Sequence, residues 1–207
     1  MFMQEKTKKL VMMAMFCAIM GVMAVTNIGM IPLGFMNATT LHIPVILCAV
    51  LLGPKSGMMM GFVFGLISLL TNTFRPNITS FVFSPFSPFY QSEYGNPFFS
   101  LLICFVPRIL IGLVSGLSYN GFKKTKLPSL ISLGLTGFLG SITNTILVMG
   151  GIWLLFGEGY AAAKGMAVNA LGGVIGSVVL INGVPEAIVA AILTAAIGKA
   201  LEKLLQK

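Results

Sequence analysis

The 207-residue chain has no aspartate, five glutamates, one histidine, three cysteines and one tryptophan. Without aspartate there is no two-metal phosphoryl-transfer site, no EF-hand loop and no Ser-His-Asp triad. The one histidine and three cysteines are scattered singly along the chain, without the paired ligand spacing of a zinc site, so no metal is expected. Cys17, Cys48 and Cys104 all lie inside apolar runs, where cysteine acts as a small hydrophobe, and their odd number argues against a disulfide framework. Charge is scarce too. Only 9% of residues are charged, against about 25% in soluble domains.

What is abundant is apolar surface. Hydrophobic residues make up 57% of the chain and the mean hydropathy is +0.97. The expected fold is all-α and integral to the membrane, one domain over 1–207. The apolar runs predict six transmembrane helices at about 10–29, 41–53, 57–71, 98–120, 129–156 and 185–205. The first run follows Lys6, Lys8 and Lys9, as a secretory signal would, but is longer than the usual signal core. The second and third are short for a span. The stretch 157–183 reads either as a seventh span or as a loop or half-helix. Pro185 suits an early helical turn, with Asn182 as a plausible cap.

The net charge of +8 would suggest nucleic acid in a soluble protein. Here the placement of the cations assigns it to topology. With six spans and both termini cytoplasmic, ten of the thirteen basic residues fall inside, Arg75 and Lys164 fall outside, and Arg108 lies within a span. A seventh crossing would give seven against five, so the positive-inside rule selects six. Nucleic acid is not an expected partner; contact with anionic lipid is a minor alternative. The three long connections, 30–40, 72–97 and 157–183, then face outward. A ligand site opening outside a multi-pass cell-membrane protein is the expectation.

Arg108 is the most informative residue. An arginine midway along a span costs at least about 2.5–3.5 kcal/mol on insertion scales, so it should face protein or a wet cavity. Pro107 beside it frees a backbone carbonyl. Arg108 reads either as a fixed cation for a polar or anionic ligand, or as a structural partner of Glu186 or of carbonyls. Glu186, the one deep acid, reads as a helix-terminus carboxylate, an ion-pair partner or a ligand contact. Asn144, within the fifth span, serves as helix–helix glue or as a ligand hydrogen bond. Asn37, Asn72 and Asn182 lie at outer junctions, near His42. The segment 72–97 holds four of the ten prolines and many aromatics, as a lid or an interfacial belt would. Arg75 and Tyr90 from this segment complete the candidate substrate set. Ala14 and Ala18, spaced i and i+4, permit close approach of another helix.

Nothing in the chain supplies energy. No phosphate-binding Gly-x-x-x-x-Gly-Lys-[Ser/Thr] loop occurs; Gly116 to Lys123 comes nearest and lacks the lysine after its second glycine. Gly172-Gly173-Val174-Ile175-Gly176 follows no strand, so it is not a dinucleotide loop. Neither an enzyme nor a cofactor is expected. A stand-alone secondary transporter, with Arg108 and Glu186 as an ion relay, is an alternative, although no internal repeat is obvious.

Several motifs carry a resemblance. Ile31-Pro32-Leu33-Gly34-Phe35-Met36-Asn37-Ala38-Thr39-Thr40-Leu41-His42-Ile43-Pro44-Val45-Ile46 is one, and Gly53-Pro54-Lys55-Ser56-Gly57 followed by Gly61-Phe62-Val63-Phe64-Gly65-Leu66 is another. Ser80-Phe81-Val82-Phe83-Ser84-Pro85, Val106-Pro107-Arg108-Ile109-Leu110-Ile111-Gly112 and Asn182-Gly183-Val184-Pro185-Glu186-Ala187 complete the set. Together they resemble the substrate-binding S components of energy-coupling factor (ECF) vitamin transporters, and within that family most closely those for pantothenate. The resemblance implies six helices, a high-affinity outer pocket, a membrane scaffold (T) subunit and two cytoplasmic ATPases as partners, and delivery by toppling in the bilayer. It also implies that Ala14 and Ala18 dock on the scaffold subunit. Pantothenate carries a carboxylate, an amide and two hydroxyls, which suits Arg108 with several amides. Riboflavin would favour more aromatic stacking in the pocket; riboflavin and folate remain alternative substrates, and thiamin fits less well.

Overall fold

A computed structural model describes residues 2–26, 30–32, 37–90 and 95–205, with side chains for 5–26, 40–90 and 95–204. It is helical apart from one short hairpin. Helix α1 (Phe2–Thr26) leads to an antiparallel pair, β1 (Met30–Pro32) and β2 (Asn37–Thr39), with Met30 opposite Thr39. Then come α2 (His42–Leu52), α3 (Pro54–Phe74), α4 (Pro97–Phe122), α5 (Ser129–Ala163), α6 (Leu171–Val178) and α7 (Val184–Leu205).

Five stretches are long and apolar enough to cross a bilayer: Glu5–Thr26, Pro54–Phe74, Pro97–Phe122, Ser129–Ala163 and Val168–Leu204. Helix α2 is apolar but shorter, with 11 residues, and so is only about 16 Å long. It is nevertheless the most enclosed helix, with every residue from His42 to Val50 buried. Lipid-like exposure falls on its neighbours instead. On α1, Leu10, Val11, Met15, Ile19, Val22 and Val25 point away from the protein, while Phe16 and Met20 pack inward with Ile46 and Met60.

Several boundaries differ from those read in the sequence, beginning with the first helix, which starts at Phe2 rather than near residue 10. The third helix is a full 21 residues, because Pro54 starts it directly after Gly53, whose φ of 87° permits the corner. The fifth runs to Ala163, bent at Phe156 (φ −133°, ψ 18°). The last begins far earlier than 185: α6 continues through a π turn, Val179–Gly183, into α7. Asn182 is therefore inside a helix and caps nothing. Pro185 has no N–H to donate, and the wide turn immediately precedes it.

Two packing seams organise the bundle. On α3, Gly57 and Gly61 face the backbone of Gly112 and Arg108 of α4, and Gly65 makes room for the Phe105 ring. On α5, Gly137 lies against Ala190 and Thr194 of α7. At the end that carries Lys123 and Lys199, Glu202 accepts hydrogen bonds from the Tyr119 hydroxyl of α4 and the Ser129 hydroxyl of α5, the latter at 2.7 Å. The Lys123 ammonium lies 4.6 Å from the Tyr119 ring centre. This clasp ties α4, α5 and α7 together at that end. At the opposite end, a second apolar cluster of Phe81, Val82, Ile103, Val148, Ile152, Phe156, Tyr160 and Leu171 roofs the bundle.

Candidate functional site

Between these two ends lies a cavity of about 570 Å³, within the range of small-molecule sites. Its walls come from the second half of α3 (Phe64, Ser68, Thr71, Asn72), the following loop (Asn77, Thr79, Phe83), Arg108 of α4, and Asn144, Thr145, Val148, Tyr160 and Lys164 of α5. The π turn closes it with Asn182 and Gly183, joined by Glu186. Gly183 is required there: a Cβ on it would sit 2.6 Å from Thr145 Cγ2, so any side chain would hold the turn away from α5.

Arg108 is buried at the cavity wall and held from several sides. Pro107 cannot donate to the carbonyl four residues earlier, that of Ile103. Arg108 Nη1 donates to that same oxygen at 2.8 Å. Nη2 donates to Ser68 Oγ at 3.3 Å. The guanidinium carbon lies 4.9 Å from the Phe83 ring centre and 5.5 Å from that of Phe64, both within cation–π range. Nε is buried with no hydrogen-bond partner among the described residues. A guanidinium has five N–H groups, so these contacts fix its orientation and still leave donors for a ligand.

Other polar groups converge on the same space. Asn144 Oδ1 is buried without a hydrogen-bond partner among the described residues, an unspent acceptor on the cavity wall. Asn72 is committed instead: its Nδ2 donates to the Ser68 carbonyl at 2.8 Å and its Oδ1 accepts from Ser80 Oγ at 2.8 Å. With the 2.6 Å Thr73–Ser84 hydroxyl bond, it latches the loop to the end of α3. Glu186 does not pair with Arg108 in the structure; its Oε1 lies 3.5 Å from Nδ1 of the buried His42.

The structure thus gathers Arg108, Asn72, Asn144, Asn182 and Glu186 around one cavity. It does not bring Arg75 or Tyr90 there. Arg75 is exposed and its Nη1 reaches the Val25 carbonyl at 3.4 Å, while Tyr90 packs on the outer apolar cluster. Both follow the turn that ends α3, and only residues from Asn77 to Phe83 of that loop reach inward. The Asn37 side chain lies outside the described residues. Tyr160 and Lys164 are wall residues that the sequence reading did not select; the bend at Phe156 places them, and a neighbouring Gly157 is the only local hint of it. Ser68 and Phe64 were also missed. Ala14 and Ala18 are exposed on α1 and do not line this cavity. No group of three or more metal-ligating side chains occurs among the described residues.

The arrangement suits a ligand with an anionic end for Arg108, hydrogen-bond donors for Asn144 and a modest apolar body for Val148 and the two phenylalanines. Comparison with known proteins agrees in kind. The family described as "ECF transporter, substrate-specific component" matches residues 8–198. The chain is 37% identical over 205 residues, 97% of this chain and 96% of the other, to the pantothenic acid transporter PanT of Lactococcus lactis subsp. cremoris. It is 33% identical over 208 residues, covering 95% and 93%, to the pantothenate transporter PanT of Leuconostoc mesenteroides subsp. mesenteroides. With its apolar helices, this makes the chain a multi-pass protein of the cell membrane, and it belongs to the family of substrate-specific components of ECF transporters.

Proposed function

We propose that this protein captures pantothenate at the outer face of the membrane and hands it inward when docked on an ATP-driven partner module. The observation that carries the substrate is Arg108: a cation kept deep in an apolar bundle, oriented by the Ile103 carbonyl and two aromatic rings, with spare N–H groups at the wall of a largely apolar cavity. A carboxylate is the natural complement to a guanidinium so placed. The Asn144 carbonyl matches a hydroxyl or amide N–H of the same molecule. Both named relatives are pantothenate transporters, and they match nearly the whole chain.

The direction of capture follows from charge. Lys6, Lys8, Lys9, Lys55, Lys123, Lys124, Lys126, Lys199 and Lys203 belong to the clasp end of the bundle, and the positive-inside rule assigns that end to the cytoplasm. With α2 counted as a short sixth crossing, set within the protein where its length is tolerated, the cavity opens outward. Membership of the family supports a membrane scaffold (T) subunit and two cytoplasmic ATPases as partners, which would supply the energy that a chain without a nucleotide-binding loop lacks. Ala14 and Ala18 on the exposed face of α1 are the docking points, and toppling of the loaded subunit carries the ligand across.

Purified protein should bind radiolabelled pantothenate without ATP. Arg108→Gln should weaken that binding by about 2 kcal/mol or more, roughly thirtyfold, as for a lost charge-assisted bond. A panel with riboflavin and folate tests the substrate: tight binding of either, with none of pantothenate, overturns the choice of vitamin. Ion-gradient-driven uptake by this chain alone in liposomes would instead support a secondary transporter.

A further inference from the structure

We infer that Lys164 is the capture cation of this cavity: it draws the anionic ligand to the mouth and sets the association rate, while Arg108 sets how long the ligand stays. The inference rests on the anion-binding reading above and adds a residue and a kinetic division of labour to it.

The two cations on the cavity wall occupy opposite environments. Arg108 is buried, engaged by Ile103, Ser68 and two rings. Lys164 is exposed, and among the described residues no carboxylate pairs with it. Its position is nevertheless fixed by the backbone. Where α5 leaves helical geometry at Phe156, that ring meets Phe81 edge-on at 5.9 Å, anchoring the bend to the loop after α3. One helical repeat then sets Tyr160 and Lys164, i and i+4, on one face along the cavity. The helix stops immediately afterwards in a Schellman arrangement. The Met166 N–H donates to the Ala161 carbonyl and the Gly165 N–H to that of Ala162, each at 3.0 Å, with Gly165 at φ 64°. Lys164 is thus held at a rigid corner of the site, with a mobile, hydrated ammonium at the end of its stem.

An exposed charge at a low-dielectric mouth raises the local concentration of the opposite charge and speeds encounter, an effect that salt screens. A buried, oriented donor acts after encounter and governs escape. A lysine whose only role was to complement the α5 C-terminus would change stability and leave encounter kinetics alone.

The test is the association and dissociation of radiolabelled pantothenate with the full chain in lipid nanodiscs. It is run from about 10 mM to about 150 mM salt, over which the Debye length falls from about 30 to about 8 Å. Lys164→Gln should slow association about three- to tenfold at low salt, flatten its salt dependence and leave dissociation unchanged. Lys164→Arg should behave as wild type and Lys164→Glu should be slower than Gln, an order that loss of stability alone would not produce. Unchanged association in the Gln variant, or an effect confined to dissociation, overturns the inference. If Arg108→Gln also binds pantothenate like wild type, the anion-site reading itself has failed; faster dissociation in that variant with wild-type kinetics in Lys164→Gln sinks only the capture role.

Discussion

Substituting Gly61 by alanine should damage binding from outside the cavity. Gly61 is on α3, one of the glycines that let α3 and α4 touch, and its neighbour there is the backbone of Arg108. A Cβ on Gly61 would fall 2.1 Å from the Arg108 carbonyl oxygen and 2.7 Å from its carbonyl carbon. Tight contacts begin near 3.0 Å and ordinary ones near 3.4 Å, so the Arg108 carbonyl of α4 must retreat by roughly 1.3 Å from the new Cβ. The obstacle is main chain in both partners, and no rotamer change relieves it. Overpacking of this kind costs about 1–3 kcal/mol, and a backbone clash belongs at the upper end. At about 2–4 °C per kcal/mol for a chain of this size, the apparent melting midpoint should fall by about 6–12 °C. The same displacement pulls Arg108 off Ser68, whose bond to Nη2 is already 3.3 Å long, and widens its contact with the Phe64 ring. Pantothenate affinity should drop at least tenfold. Gly121→Ala is the matched control. A Cβ there would meet nothing within 4 Å, and helix propensity at that position favours alanine. Thermal unfolding in detergent and equilibrium binding read both effects. Wild-type stability in Gly61→Ala would refute the close approach of α3 and α4 on which the placement of Arg108 depends.

Asn144→Leu separates binding from folding. Its Oδ1 is buried and without a hydrogen-bond partner among the described residues, so leucine should keep or raise the melting midpoint while abolishing pantothenate binding; a large stability loss with binding retained would make Asn144 structural glue. Tyr119→Phe does the reverse. Removing one donor to the Glu202 carboxylate should cost about 1–3 kcal/mol in denaturation experiments, with binding unchanged in the folded fraction, and a neutral result would refute the clasp. Ala14→Trp or Ala18→Trp should be tolerated by the isolated chain, since both positions are exposed, but should block co-purification with the scaffold subunit and ATPases. A complex that survives both changes rules out docking through this face.

How far the sequence could be read depended on whether a feature was local. Arg108 stood out because an arginine among Cys104, Phe105, Val106, Ile109 and Leu110 has no cheap explanation, and Pro107 identified in advance a carbonyl lacking its helical donor. The structure pairs those two facts: the guanidinium satisfies the orphaned oxygen. The buried status of Arg108 and the gathering of five polar side chains around one cavity follow from residues that are costly in apolar helices wherever they occur. Features set by three-dimensional direction were not legible. Tyr160 reaches the cavity because α5 bends at Phe156, and no proline marks the bend, so the aromatic-rich loop drew attention to Tyr90 instead. Asn182 resembled a cap because Pro185 resembles a helix start; the π turn that joins α6 to α7 has no sequence signature of its own.

The same turn explains why Asn182 still belongs to the site. A wide turn inside a continuous helix brings Asn182, Gly183 and Glu186 to the cavity together. Gly183 allows the approach to Thr145, and Thr145 is the neighbour of Asn144. Two facing segments, one regular and one widened, therefore meet at a glycine and present an amide each on either side of it. Neither proline nor asparagine alone encodes that geometry. It needs the missing N–H of Pro185, the missing side chain of Gly183 and the wall of α5 at once, which is why Asn182-Gly183-Val184-Pro185-Glu186 is legible as a motif before it is legible as a shape.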